Sequence, residues 1–250
     1  MAPRQLVVNT AISMALLLNC SYAADDAALF GSLKPADYLT GRFDPSKSRL
    51  FACINDAGVP VNEWRHYLRK EAAAALKKMY ADFRRENPKE PFWVQSSTRS
   101  FLDQKTIWDA KWKKLQAGGE KDPLKIALSI LKYSSMPGTS RHHWGTDFDL
   151  NVLRNDYYES GEGKVLYRWL SRNAGRYGFC QPYTAGRKGG YSEEKWHWSY
   201  RPLAAELLAR WNELYRSDPA VFSRRGLFSG SESAGRLAPE YVNTINESCR

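Results

Sequence analysis

Histidine is scarce in this chain: His66, His142, His143 and His197 are all it has in 250 residues, so any imidazole-based site must be drawn from four side chains. Cysteine is as sparse, also at four, with no Cys-x-x-Cys pair and no Cys–His cluster at zinc-finger spacing. That leaves the cysteines a structural role. There is no Gly-x-Ser-x-Gly elbow, no His-Glu-x-x-His helix, no internal repeat and no long low-complexity tract. Their absence removes the commonest serine-hydrolase and zincin signatures. Hydrophobic residues at 43% and charged residues at 26% exclude collagen-like and disordered classes. The length allows one or two domains with a real buried core.

The first residues read as a targeting segment. Arg4 is the only charge before Asp25, Leu6 to Leu18 is mostly apolar, and Ser21-Tyr22-Ala23 offers small residues where a signal peptidase cuts. The apolar stretch is too short to span a bilayer comfortably, which favours a cleaved signal over 1–23 and no membrane span. Cys20 raises a lipoprotein alternative, against which Asn19 stands where a small residue is normally needed. The expected location is periplasmic or secreted. Lys plus Arg is 37 against 27 Asp plus Glu, for a net charge of +10, or +9 once Arg4 leaves with the signal. A basic surface suits nucleic acid, anionic lipid or acidic cell-wall polymers, and export disfavours nucleic acid. Cleavage would leave Cys53, Cys180 and Cys249, with one bridge and one free thiol the simplest outcome. All three pairings stay open.

Residues 24–60 hold turn formers (Gly31, Pro35, Gly41, Pro45, Gly58, Pro60), predicting an extended N-terminal segment wrapped on the body. From Asn62 the pattern turns helical: Trp64, Leu68, Ala72, Leu76, Met79 and Phe83 share one face until Asn87-Pro88 stops it. Phe92–Gln95 reads as a strand. Ser100, with Asp103 three residues on, caps a helix carrying Trp108 and Trp112. Asp122-Pro123 opens another helix, a further one runs from about Lys164 to Tyr177 and ends at Gly178, and the last from about Pro202 to Arg216. The body is expected over 61–217, and 218–250 as a loosely attached Ser/Gly/Arg-rich tail. No feature specifies an oligomeric state.

Two short strands carry the chemistry. Alternation in Thr146–Val152 puts Asp147, Asp149 and Asn151 on one face and Phe148 with Leu150 on the other. In Trp196–Tyr200 the aromatics take one face, and His197 and Ser199 the opposite one. Two polar faces meeting would floor a site. His142, just before the first strand, Asp149 and His197 offer the three ligands a catalytic zinc wants beside an open position. Glu194, three residues before His197, could reach a water there without ligating. Taken singly, each residue has a plainer reading: a loop histidine, a paired strand aspartate, a histidine wedged between tryptophans.

Taken together they match known patterns. Ser140-Arg141-His142-His143-Trp144-Gly145-Thr146-Asp147-Phe148-Asp149 resembles the Ser-x-His-x-x-Gly-x-x-x-Asp motif of the D-alanyl-D-alanine carboxypeptidase (VanY-like) branch of the LAS zinc metallopeptidases. Glu194-Lys195-Trp196-His197-Trp198-Ser199-Tyr200 resembles its Glu-x-Trp-His-x-x-Tyr signature. Ser97-Thr98-Arg99-Ser100, followed by Gln104, resembles its upstream element. Asp147 stands where that pattern often has a small residue.

The resemblance implies an α+β fold, in which a small, mainly antiparallel sheet carries the zinc site between flanking helices. It implies one Zn2+ per chain on His142, Asp149 and His197, with Glu194 as base. Arg99, Gln104 and Ser140 become the expected substrate-binding residues, Arg99 as a fork for a terminal carboxylate. The implied substrate is the stem peptide of peptidoglycan, trimmed from its D-Ala end. An endopeptidase, L,D or D,D, on the same zinc site is the alternative. His143 is expected as a packed wall residue and His66 as a surface or groove histidine. A penicillin-sensitive serine enzyme is disfavoured: Ser129-Ile130-Leu131-Lys132 matches Ser-x-x-Lys, but Lys188-Gly189-Gly190 follows Ser171-Arg172-Asn173 too closely to be its third element. A wall-binding module without activity is the remaining rival, and Glu194 argues against it.

Overall fold

The computed structural model describes residues 26–250; the expected signal peptide and Cys20 lie outside them. Residues 26–30 are helical and belong to a first compact unit that ends at Pro35, and the rest of the chain forms the second. In this second unit β1 (Phe51–Cys53) and β2 (Tyr67–Arg69) make an antiparallel pair. Strands β3 (Val94–Ser96), β4 (Asp147–Leu150), β5 (Phe179–Cys180) and β6 (His197–Tyr200) form an antiparallel sheet in the order β3-β4-β6-β5. Helices α1 (Lys70–Glu86), α2 (Phe101–Ala117), α3 (Pro123–Ile130), α4 (Gly161–Asn173) and α5 (Arg201–Ser217) surround it. The class is α+β, as expected. Among the described residues no helix is long and apolar enough to cross a membrane.

The register of the central strands follows from their alternation. Phe148 lies opposite Trp198, while Asp147 faces Ser199 and Asp149 faces His197. One face therefore joins the core, where Phe148 and Leu150 pack with Leu76, Met79 and Phe83 of α1 and with Leu166 and Leu170 of α4. The other face gathers the polar groups. Ser100 makes a full capping box with Asp103 at the start of α2, and Asp122 caps α3 with Pro123 in its first turn.

Two expectations are corrected. The helix does not begin at Asn62: residues 67–69 are a strand, and Trp64 is 71% exposed. Spacing of four is even, so Trp64 and Leu68 fit strand alternation as well as a helix face, and pairing with β1 decides the matter. The segment 36–60 supplies β1 and buries Tyr38, Leu39, Phe51, Ile54 and Val59.

Nor is 218–250 loosely attached. It folds as short helices, Ala220–Ser223, Ser231–Ala234 and Ala238–Asn243, and buries Phe222, Phe228, Val242 and Ile245. Ser229 donates its N–H to Asp109 and accepts from the Trp108 indole, both on α2. A disulfide ties Cys249 to Cys180 on β5, leaving Cys53 as the free thiol among the described residues. Gly230 (φ +71°) passes so close to Trp112 that a Cβ there would lie 2.0 Å from the indole ring. Only glycine allows that approach.

Candidate active site

The site begins with a tight turn. Residues Arg141–Trp144 form a single 3-10 turn that ends at Gly145, whose φ of 74° is left-handed and whose missing side chain leaves room for Phe51. Ser140 stands at the N-cap position but makes no capping hydrogen bond, so its hydroxyl remains free. The turn delivers His142 to the mouth of β4, beside Asp149. From β6, opposite, comes His197.

The three side chains converge. One donor atom each from His142, Asp149 and His197 lie within 4.8 Å of one another, and all three residues are buried. His142 donates Nδ1–H to the Ser97 carbonyl at 2.8 Å, which leaves Nε2 bare. That Nε2 is buried without a hydrogen-bond partner, 3.4 Å from Asp149 Oδ2. His197 turns Nδ1 toward Asp149 Oδ1 at 2.9 Å, while its Nε2 meets Asp147 Oδ2 at 2.9 Å. An orphaned imidazole nitrogen, a second nitrogen and a carboxylate around one point fit a divalent cation of zinc type. A buried polar atom left unpaired is otherwise costly.

The ionisable groups gathered here shift one another. Burial works against ionisation of Asp149, but His142 and His197 outweigh it and hold the carboxyl well below the usual range. Burial lowers His142 as well. For His197 burial also pulls downward, yet the two aspartates raise it to about 9. Glu194 has Oε2 3.7 Å from His197 Nδ1, and burial pushes its carboxyl up to about 8, with Asp149 adding to the rise and His197, Arg99 and Arg187 opposing it.

A cavity of about 560 Å3 opens over these groups. Arg99 and Ser140 line it, and Arg99 Nε and Ser140 Oγ are both buried and unpartnered. Gln104 does not line it: its side chain is buried and donates to the Ser135 carbonyl at 2.7 Å, bracing the wall from behind. His143 is packed, Nδ1 toward the Arg99 carbonyl at 2.7 Å and Nε2 accepting from Gly138 N–H at 3.0 Å. Burial drives its pKa down to about 3. His66 departs from expectation. It is 7% exposed, with Nδ1 2.9 Å from Ser97 Oγ and Nε2 2.7 Å from Asn62 Oδ1, in the network behind the residue that orients His142. Ser129 and Lys132 are exposed and form no site. Sequence reasoning gave no role to Lys111, which reaches the cavity wall from α2 and contacts Ser134, or to Tyr183, whose ring lies 4.7 Å from that of His197. No motif signals either.

Comparison with known proteins bears on this geometry. The VanY family, D-alanyl-D-alanine carboxypeptidase, matches residues 65–203, which takes in both motifs. YodJ of Bacillus subtilis (strain 168), whose name gives it provisionally as a carboxypeptidase, is 29% identical over 182 residues, or 70% of this chain. The chain spans 61% of that relative's length. Among solved structures, the LD-carboxypeptidase LdcB matches with a TM-score of 0.50 at 22% identity, over 70% of this chain and 80% of the other. A zinc-bound variant of the vancomycin-resistance D,D-pentapeptidase VanY matches with a TM-score of 0.47 at 25% identity, over 63% and 83%.

Proposed function

The chain belongs to the VanY family of D-alanyl-D-alanine carboxypeptidases, and from that premise we propose that it is an exported zinc carboxypeptidase that removes the terminal D-alanine of peptidoglycan stem peptides. The observation that carries the proposal is the convergence of His142, Asp149 and His197 donor atoms beside Glu194, in a cavity that also holds Arg99. The net charge of +10 suits an anionic wall polymer.

When bound, zinc supplies Lewis acidity, bringing the pKa of water toward neutrality and polarising a carbonyl. The remaining work falls to side chains. Arg99 and Ser140, each with a buried unpartnered atom on the cavity wall, hold the terminal carboxylate and place the last peptide bond below Glu194. Glu194 accepts the proton of the attacking water as oxygen bonds to the carbonyl carbon. The C–N bond then breaks, and Glu194 returns the proton to the departing amine. Capture of the terminal carboxylate by Arg99 favours exopeptidase action, whereas an endopeptidase would need that end open.

Glu194→Gln separates catalysis from binding. It should retain zinc and stem-peptide affinity while kcat falls about 100-fold or more, because only the proton transfer is removed. Near-normal turnover would exclude Glu194 as the base.

A further inference from the structure

An arginine buried to 1% exposure lies beside the metal donors, and the hydrolysis above makes no use of it. Arg141 Nε donates to Asp147 Oδ2 at 2.9 Å, and Nη2 donates to Ser199 Oγ at 2.7 Å. Ser199 in turn donates to Asp147 Oδ1 at 2.7 Å, and Thr146 donates to the same oxygen at 2.6 Å. Asp147, Thr146 and Ser199 are all fully buried. A desolvated pair of this kind is often matched in stability by apolar residues of similar size. Stability alone therefore does not explain an aspartate where the resembling pattern often has a small residue.

The one remaining partner of Asp147 is His197. Its imidazole is flanked by two carboxylates on opposite ring edges: Asp149 at Nδ1 and Asp147 at Nε2, each at 2.9 Å. Asp147 meets the ring at the nitrogen that faces away from the three-donor cluster. Its charge is held by Arg141, whose Nε donates to the same oxygen that meets the His197 ring. The two histidines are thus oriented by different means. A neutral backbone carbonyl holds His142 through Nδ1, whereas a charged, four-donor carboxylate holds His197 through Nε2.

We propose that Asp147, clamped by Arg141, Ser199 and Thr146, is the positioning residue that holds His197 as the Nε2–H tautomer and directs a more basic Nδ1 at the metal. The inference rests on the reading of His197 as a zinc ligand. A carboxylate behind a ligating imidazole fixes the ring and strengthens it as a donor, and its removal characteristically costs 10- to 100-fold in metal affinity or activity. Arg141 has a second consequence: it engages the same Oδ2 that receives His197, so Asp147 stays an acceptor for that ring and does not compete as a fourth ligand.

The test compares wild type, Asp147→Asn and Ser199→Ala in three measurements: zinc affinity by competition with a chromophoric chelator, the visible spectrum of the cobalt-substituted protein, and thermal unfolding of the apo form. Asp147→Asn should bind zinc about 10- to 100-fold more weakly, with a shifted cobalt spectrum, at temperatures where it is fully folded. Ser199→Ala keeps the Asp147–His197 contact but loosens the clamp, and should lose affinity in the same direction by a smaller factor. A purely structural role would lower the unfolding temperature and leave affinity and spectrum alone, which overturns the proposal. If Asp147→Asn does not fold, Ser199→Ala carries the test, and wild-type affinity in that variant overturns it. Wild type that binds zinc but releases no alanine would defeat the proposed function while leaving this measurement decisive. Wild type that binds no metal defeats both.

Discussion

Replacing Arg99 probes whether the cavity has a closed, carboxylate-binding end. The backbone there is pinned independently of the side chain: Arg99 N–H donates to the His142 carbonyl at 3.3 Å, and its own carbonyl faces His143 Nδ1 at 2.7 Å. Ser100 next to it caps α2. Arg99→Ala should therefore remove the guanidinium and leave the turn in place. Losing one partner of a buried charged contact costs about 2–5 kcal/mol. Arg99 is only half-buried, so the lower part of that range applies, about 2–3 kcal/mol or roughly 30- to 150-fold in kcat/KM. Arg99→Lys keeps the charge but loses the paired hydrogen bonds, and about a tenfold loss is expected. The assay is alanine release from a free-acid and a C-terminally amidated stem peptide by each variant. Amidation should weaken cleavage strongly in wild type and little in Arg99→Ala, a coupling of about 2 kcal/mol between contacting groups. Additive losses, or equal cleavage of both peptides by wild type, would refute the clamp and favour an open endopeptidase groove.

Purified protein should carry about one zinc per chain, measured by elemental analysis. Unchanged metal content in the His142→Ala, Asp149→Ala double variant would remove the assignment. The C-terminal segment should matter for stability. Cys249→Ser should cost about 2–4 kcal/mol, read as a drop of about 5–15 °C in Tm, and an unchanged Tm would show that the buried side chains alone anchor residues 218–250.

The site was more legible than its surroundings. Strand alternation at Asp147–Leu150 and His197–Tyr200 put the polar groups on one face before any register was known, and the observed pairing of Asp149 with His197 joins those faces. Local rules also sufficed for the Ser100 capping box and the Asp122-Pro123 helix start. They failed where distant partners decide. Trp64 and Leu68 suit a helix by spacing, but β1 claims residues 67–69 as a strand. Phe222, Phe228 and Ile245 have no period to reveal them, because each fills a separate niche in an already folded body. Gln104 has a side chain suited to substrate, and only the position of Ser135 shows that it is already engaged. The Arg141–Asp147–Ser199 cluster was invisible for the same reason, since Ser199 comes from another strand.

Mass spectrometry of defined peptidoglycan stem pentapeptides, digested with the zinc-loaded protein and with a chelated control, tests the central claim most directly. The expected result is loss of a single C-terminal alanine, abolished by chelation and restored by zinc. Cleavage inside the stem or at cross-links, or alanine release that survives chelation, would contradict it.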